Sequence, residues 1–286
     1  MAVHVGPQAL SGPAPEGDAA ADVYPSPVDA LDDLPSVYDD DCQAMPGDRT
    51  ADPCVYGPED ADVQVAVVGD SHAAHWVPAV RKVAEEHGWR VHTFTKSSCP
   101  FTTETVARAS DDDRPYEECA DWNKDVVDQL TGDVAPDVVF TSARSSSASA
   151  VAGDGEEGKR RIAEGMAEQW DAVEEEGATV VAIADTPSQR ARVPECVELN
   201  PGDPAVCAKE RDDALGEEDP QLMAADMDGA DAEVVDLNDR LCTDDTCPAV
   251  VGNVLVYRDS HHLTATYSQM LAADLEEAAA DPLSRL

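Results

Sequence analysis

The run Val65-Ala66-Val67-Val68-Gly69-Asp70-Ser71-His72 carries a serine at the end of an apolar, β-branched segment, and a helical pattern begins immediately after it. One hydroxyl is thereby set at the carboxyl end of a strand and the amino end of a helix. A serine hydroxyl is a weak nucleophile until a neighbouring base removes its proton. Near the other end of the chain, Asp259-Ser260-His261-His262 offers that base in His262, with a carboxylate three residues before it. Asp259 would fix the tautomer of His262 and stabilise its imidazolium. Ser71, His262 and Asp259 therefore read as the nucleophile, base and orienting acid of a hydrolase or acyltransferase. The helix after Ser71 would direct free N–H groups, beginning with that of Ser71, towards a developing oxyanion. Asp70, His72 and His261 flank these residues and are assigned to the substrate side of the site, while His75 reads as packing beside the sheet. Either fragment alone is an ordinary turn or surface pair. Their joint placement, after the first core strand and before the last helix, carries the reading.

The elements that must position these residues alternate along the chain. Val63–Val68, Trp89–Thr95, Asp137–Thr141, Ala178–Ala184 and Glu233–Leu237 read as strands. Ala73–His87 (closed by Gly88), Tyr116–Leu130, Lys159–Glu176 and Thr264–Ala280 read as helices. Strands that alternate with helices imply a five-stranded parallel sheet covered on both faces, with the site at the carboxyl ends of the strands. Residues 1–35, rich in Pro, Ala, Gly and Asp, read as an irregular tether. Residues 36–286 form one domain, whose segment 36–60 is a stapled loop and whose polar insert at 188–226 would supply a lid or one wall of the cleft.

Sixty acidic residues against nineteen basic ones give a formal net charge of -41. Such a surface repels phosphate backbones and anionic lipid, so nucleic acid is excluded as a partner. No apolar stretch approaches the ~20 residues that span a bilayer, and the start shows no basic segment followed by an apolar core. The acidic runs at Asp39–Asp41 and Asp111–Asp113 lack the spacing of a calcium loop and read as solvated surface, so neither a metal nor another cofactor is expected. The eight cysteines fall as four neighbouring pairs without zinc-like spacing. Of the 105 pairings open to eight cysteines, the simplest is Cys42–Cys54, Cys99–Cys119, Cys196–Cys207 and Cys242–Cys247. The alternative is a cytosolic chain with reduced thiols. Disulfides without an export signal imply a chain cut from something larger.

Gly69-Asp70-Ser71-His72 resembles the first motif block of the SGNH/GDSL hydrolase superfamily, and Asp259-Ser260-His261-His262-Leu263-Thr264 resembles its last. More narrowly, Gly-Asp-Ser-His-Ala, the run Lys96-Ser97-Ser98-Cys99-Pro100, and Tyr257-Arg258 ahead of the last block resemble the SGNH domains fused behind acyltransferase-three membrane proteins. The resemblance spans roughly residues 40 to 280. It implies a flavodoxin-like three-layer α/β/α fold, with Ser71, Asp259 and His262 as the triad. It also implies an extracytoplasmic O-acyltransferase, most commonly an O-acetyltransferase, that takes an acyl group from a donor presented by an upstream membrane acyltransferase domain. The acceptor would be a carbohydrate hydroxyl. An esterase or deacetylase with the same residues, and a non-catalytic glycan-binding module, are the alternatives. The superfamily places a Gly after the second strand and a Gly-x-Asn after the third, both lending oxyanion donors. Here those loops read Lys96-Ser97-Ser98-Cys99 and Thr141-Ser142-Ala143-Arg144. The oxyanion site is therefore expected to be completed by a backbone N–H near Ser97, by Ser142 or by Arg144.

Overall fold

The computed structural model describes residues 23–286, apart from 109–113, 147, 152, 154, 190, 217, 228 and 229. The acidic run Asp111–Asp113 and residues 1–22 of the expected tether lie outside the described residues.

Five strands form the body of a parallel sheet: β1 (Gln64–Gly69), β2 (Arg90–Lys96), β3 (Val138–Ser142), β4 (Thr179–Ile183) and β5 (Glu233–Val235). Their order is β2-β1-β3-β4-β5, and their registers align the carboxyl ends: Gly69 lies opposite Thr95 on one side and Ser142 on the other. The sheet reverses direction of winding at β1, so the crevice beyond its carboxyl end is a natural ligand site. Alternate residues of β1 go to opposite faces, as the two-residue period of a strand requires. Val65 and Val67 join one core with Trp76, Val80, Tyr257 and Leu271. Ala66 and Val68 join the other with Trp122, Met166 and Trp170. Helix α1 (Ser71–His87) and the C-terminal α4 (Ala265–Met270) pack together over the first face. Helices α2 (Glu117–Gln129) and α3 (Gly155–Glu174) contribute Trp122 and Trp170 to the second. The result is the expected three-layer α/β/α architecture.

The sheet is larger than the five strands legible in the sequence. Gln43–Ala44 pairs in parallel with β2, and Cys54–Tyr56 pairs with it antiparallel, giving seven strands. These additions are two and three residues long, too short for a hydrophobic period. The Cys42–Cys54 disulfide and buried Lys96, whose Nζ donates to the carbonyls of Met45 (2.6 Å) and Asp48 (2.7 Å), fasten this segment to the end of β2.

Two further expectations are corrected. Residues 24–35, assigned to the tether, lie against the domain: Tyr24 bridges Val254, Ala30 is buried, and the Asp33 carboxylate accepts the Thr266 N–H at 3.0 Å. The single C-terminal helix is interrupted at Leu271 and resumes over Ala272–Ala278. All four cysteine pairings are those of neighbours, as expected. Among the described residues, no helix is long and apolar enough to cross a membrane.

Candidate active site

Gly69 ends β1 at φ +142°, and a Cβ there would lie 2.1 Å from the Ser142 carbonyl oxygen. Only glycine lets the first and third strands run this close at the turn into α1. Asp70 then caps the helix, its Oδ1 accepting the His72 N–H at 2.7 Å. Ser71 thus occupies the first helical position, where a backbone N–H has no partner within the helix. Gly88 closes α1 in the left-handed region at φ 71°.

The loop carrying Asp259 and His262 is closed by a bridge between Tyr257 and Leu263 and by the Arg258 N–H donating to the His262 carbonyl at 3.0 Å. Asp259 Oδ1 accepts the N–H groups of both His261 and His262 at 2.9 Å. Its Oδ2 lies 2.6 Å from His262 Nδ1, and His262 Nε2 lies 2.8 Å from Ser71 Oγ. Burial by itself would raise the Asp259 pKa. The hydrogen bond and charge of His262, with the two backbone donors, outweigh burial and hold the carboxyl well below the usual carboxylate range. Arg258, almost buried beside the Tyr38 ring, adds a cation 3.8 Å from Asp259 Oδ2. With Asp259 ionised, His262 carries its proton on Nδ1 and presents the Nε2 lone pair to the serine.

The insert braces this loop from behind. The N–H groups of Gln189 and Val193 donate to the carbonyls of Ser260 (2.6 Å) and Asp259 (3.2 Å). The insert is less irregular than its sequence suggests, since Val193–Leu199, Arg211–Leu215 and Pro220–Ala225 are helical.

Asp70 and His72 do not face a substrate. Both are wholly buried, and the second Asp70 oxygen accepts the Arg144 N–H at 3.1 Å. A carboxylate at this helix start is consumed by capping. His72 follows Ser71 on the buried side of α1, where its ring is tilted against His75 at 4.7 Å and stacks on His261 at 5.2 Å. His75 is buried as expected. Two of the expected oxyanion groups are also engaged elsewhere. The Ser97 N–H donates to the Ala44 carbonyl, and the Ser142 hydroxyl donates to the Ile183 carbonyl. Parallel pairing at the ends of β2 and β3 draws both inward. Ser71 and Arg144 remain beside the cluster, where the Arg144 guanidinium helps keep His72 and His261 unprotonated.

Asp185, just beyond β4, was missed by the sequence reading. Its Oδ1 lies 2.7 Å from His72 Nδ1, and His72 Nε2 lies 3.0 Å from His261 Nδ1. An acid at the carboxyl end of a core strand was the available signal, but sixty acidic residues dilute it. The His72, His261 and His262 rings bring ligand atoms within 4.8 Å of one another, a spacing a divalent cation could bridge. Occupancy would require breaking the contacts these nitrogens already make.

A model of the SGNH domain found fused to AT3 domains matches residues 37–277. The chain belongs to that family. The SGNH domain is similar in fold to the periplasmic domain of a lipopolysaccharide acetyltransferase of Salmonella ser. Paratyphi A. That likeness has 16% identity and a TM-score of 0.57, covering 79% of this chain and 85% of the other. A putative acylhydrolase of Bacteroides fragilis matches at 12% identity and a TM-score of 0.43, covering 80% of this chain and 91% of the other. No curated protein matches the chain.

Proposed function

We propose that this SGNH domain is an O-acyltransferase that carries an acyl group, acetyl by preference, on Ser71 and passes it to a carbohydrate hydroxyl. The observation that supports this most directly is the hydrogen-bond chain Ser71 Oγ, His262 and Asp259, at 2.8 Å and 2.6 Å, in a domain of this family.

In the first half-reaction Ser71 Oγ attacks the donor's carbonyl carbon while His262 Nε2 takes its proton. The tetrahedral oxyanion is met by the Ser71 N–H at the amino end of α1, with the Arg144 guanidinium as a second candidate donor. Collapse expels the donor's leaving group, which receives the proton from His262. In the second half-reaction an acceptor hydroxyl gives its proton to His262 and attacks the acyl-serine. Ser71 Oγ then leaves and recovers the proton, so the acyl group moves with no net change in the protein.

A cavity of about 560 Å³ beside Asp185 is lined by Ser145, Ser149, Thr186, Asp213 and Glu218, groups suited to hydrogen-bonding a polyhydroxyl acceptor. Neither this cavity nor another of about 620 Å³ between Tyr56, Arg81 and Trp89 is lined by Ser71, Asp259 or His262. An upstream AT3 domain as donor partner accords with the family's description, and an extracytoplasmic location accords with four disulfides and with the periplasmic origin of the similar Salmonella domain.

The test is intact-mass analysis with an activated acetyl ester, on the wild type and on Ser71→Ala. The proposal expects an acetyl adduct on the wild type alone, released faster by an oligosaccharide than by water. Release by water alone would make the domain an esterase. Glycan binding without any adduct would make it a binding module.

A further inference from the structure

A second acid–imidazole chain runs beside the first. Asp185 lies at the base of it, its carboxylate saturated with donors. Oδ2 accepts the Ser145 N–H (2.9 Å) and hydroxyl (2.8 Å), and Oδ1 accepts the Thr186 N–H (2.8 Å) together with His72 Nδ1 (2.7 Å). An ionised carboxylate only accepts, so His72 must carry its proton on Nδ1. Its Nε2 is then a lone pair, and the His261 nitrogen 3.0 Å away must be the donor. A neutral imidazole has one N–H, so this leaves His261 Nε2 as an acceptor. The tautomer of both rings is thus set from Asp185 outward. His72 is wholly buried, while His261 is only partly buried. The His261 and His262 ring centroids are 4.0 Å apart.

We propose that His261 Nε2 accepts a hydrogen bond from a second hydroxyl of the acceptor while His262 Nε2 takes the proton of the attacking one. Asp185 and His72 are the positioning residues that hold His261 in this acceptor form. The inference rests on acyl transfer through Ser71 and deepens it. Two adjacent imidazoles, each with an Nε2 lone pair, select a vicinal diol of the kind a sugar presents. A simple alcohol, with one O–H, can satisfy only one of them. Imidazole neutrality supports this arrangement: burial keeps His72 well below its usual range and pushes His261 down to about 3. His262, Arg144 and Arg258 act in the same direction, against the opposing charge of Asp259.

The test uses the acetyl-enzyme formed from an activated acetyl ester and compares its capture by 1,2-propanediol with its capture by 1-propanol. The wild type should favour the diol by about tenfold, the worth of one hydrogen bond to a neutral acceptor. His261→Ala should bring the two rates together, and Asp185→Asn should narrow the ratio. An adduct that forms normally with no diol preference, or with a preference unchanged in His261→Ala, would overturn the inference and leave the acyl-serine reading intact. Absence of any wild-type adduct would remove both. Nitrogen-15 NMR of the folded protein gives a readout that folding defects cannot imitate. His261 should be protonated on Nδ1 and bare on Nε2, and a proton found on Nε2 would overturn the assignment.

Discussion

The Asp70 carboxylate joins two elements that the sequence separates widely. One oxygen caps α1 through the His72 N–H, and the other holds the Arg144 N–H at 3.1 Å. Asp70→Ala should therefore release both the helix start and the loop after β3. Loss of a cap costs about 1 kcal/mol, up to about 2, and the freed loop adds to it. The melting temperature should fall by at least about 3 °C. Asp70→Asn, which keeps one acceptor, should lose less. Equal melting curves for wild type and Asp70→Ala would contradict the capping role.

Asp259 orients His262 and also accepts two backbone N–H groups of its own loop. Asp259→Asn should lower turnover of an activated ester by about 10⁴-fold through the wrong imidazole tautomer. The change should lie almost wholly in kcat, because nothing in ester binding depends on that carboxylate. A fall in KM-dependent binding alone would argue against this role.

His75 is buried with neither ring nitrogen hydrogen-bonded among the described residues, and burial lowers its pKa far below the usual value. The unfolded chain protonates it near pH 6.5. Its contribution to stability is thus complete above that pH and is lost as pH falls. His72 and His261 act in the same sense. Asp185 and Asp219, raised by burial to about 6, act oppositely: they favour the fold below about pH 4 and lose that contribution as pH rises through 6. Near pH 5 these three histidines, joined by the partly buried His92, outweigh the raised carboxylates Asp185, Asp219 and Glu174. Acidification there should cost on the order of 1 kcal/mol per pH unit. His75→Leu should remove one of the three and flatten the slope relative to wild type, measured by urea unfolding at pH 5.0 and 6.0. Parallel slopes would refute the assignment.

The Cys99–Cys119 disulfide closes a 20-residue loop that joins the end of β2 to α2. Replacing both cysteines by alanine should destabilise the fold by about 3 kcal/mol. Asn123, whose side chain donates to the carbonyls of Pro100 and Thr102, still holds the loop in part. The denaturant midpoint of the double variant, with the other three bridges intact, should therefore fall below that of the wild type. An unchanged midpoint would show that the bridge constrains nothing the remaining contacts do not.

The five core strands, α1 with its glycine stop and the four cysteine pairings were legible because each is a local matter. A strand betrays itself by its apolar run, a helix end by Gly88, and a short disulfide loop by sequence proximity. Asp70, His72, Ser97 and Ser142 were placed by motif on the substrate or oxyanion side. The structure turns Asp70 into a cap, buries His72 and engages Ser97 and Ser142 with neighbouring carbonyls. The direction in which a side chain or an N–H points depends on strands paired from distant parts of the chain.

By itself, then, the sequence determined the parallel α/β layering and brought forward Ser71, Asp259 and His262 as chemistry-bearing types in the right elements. Periodicity and short spacings are properties of neighbouring residues. Only the tertiary structure decided that Asp185 stands behind His72 and that His72 hands its hydrogen bond to His261. That chain crosses from the end of one strand to a helix start and then to a distant loop. A contact assembled from three remote segments leaves no period and no spacing in any of them.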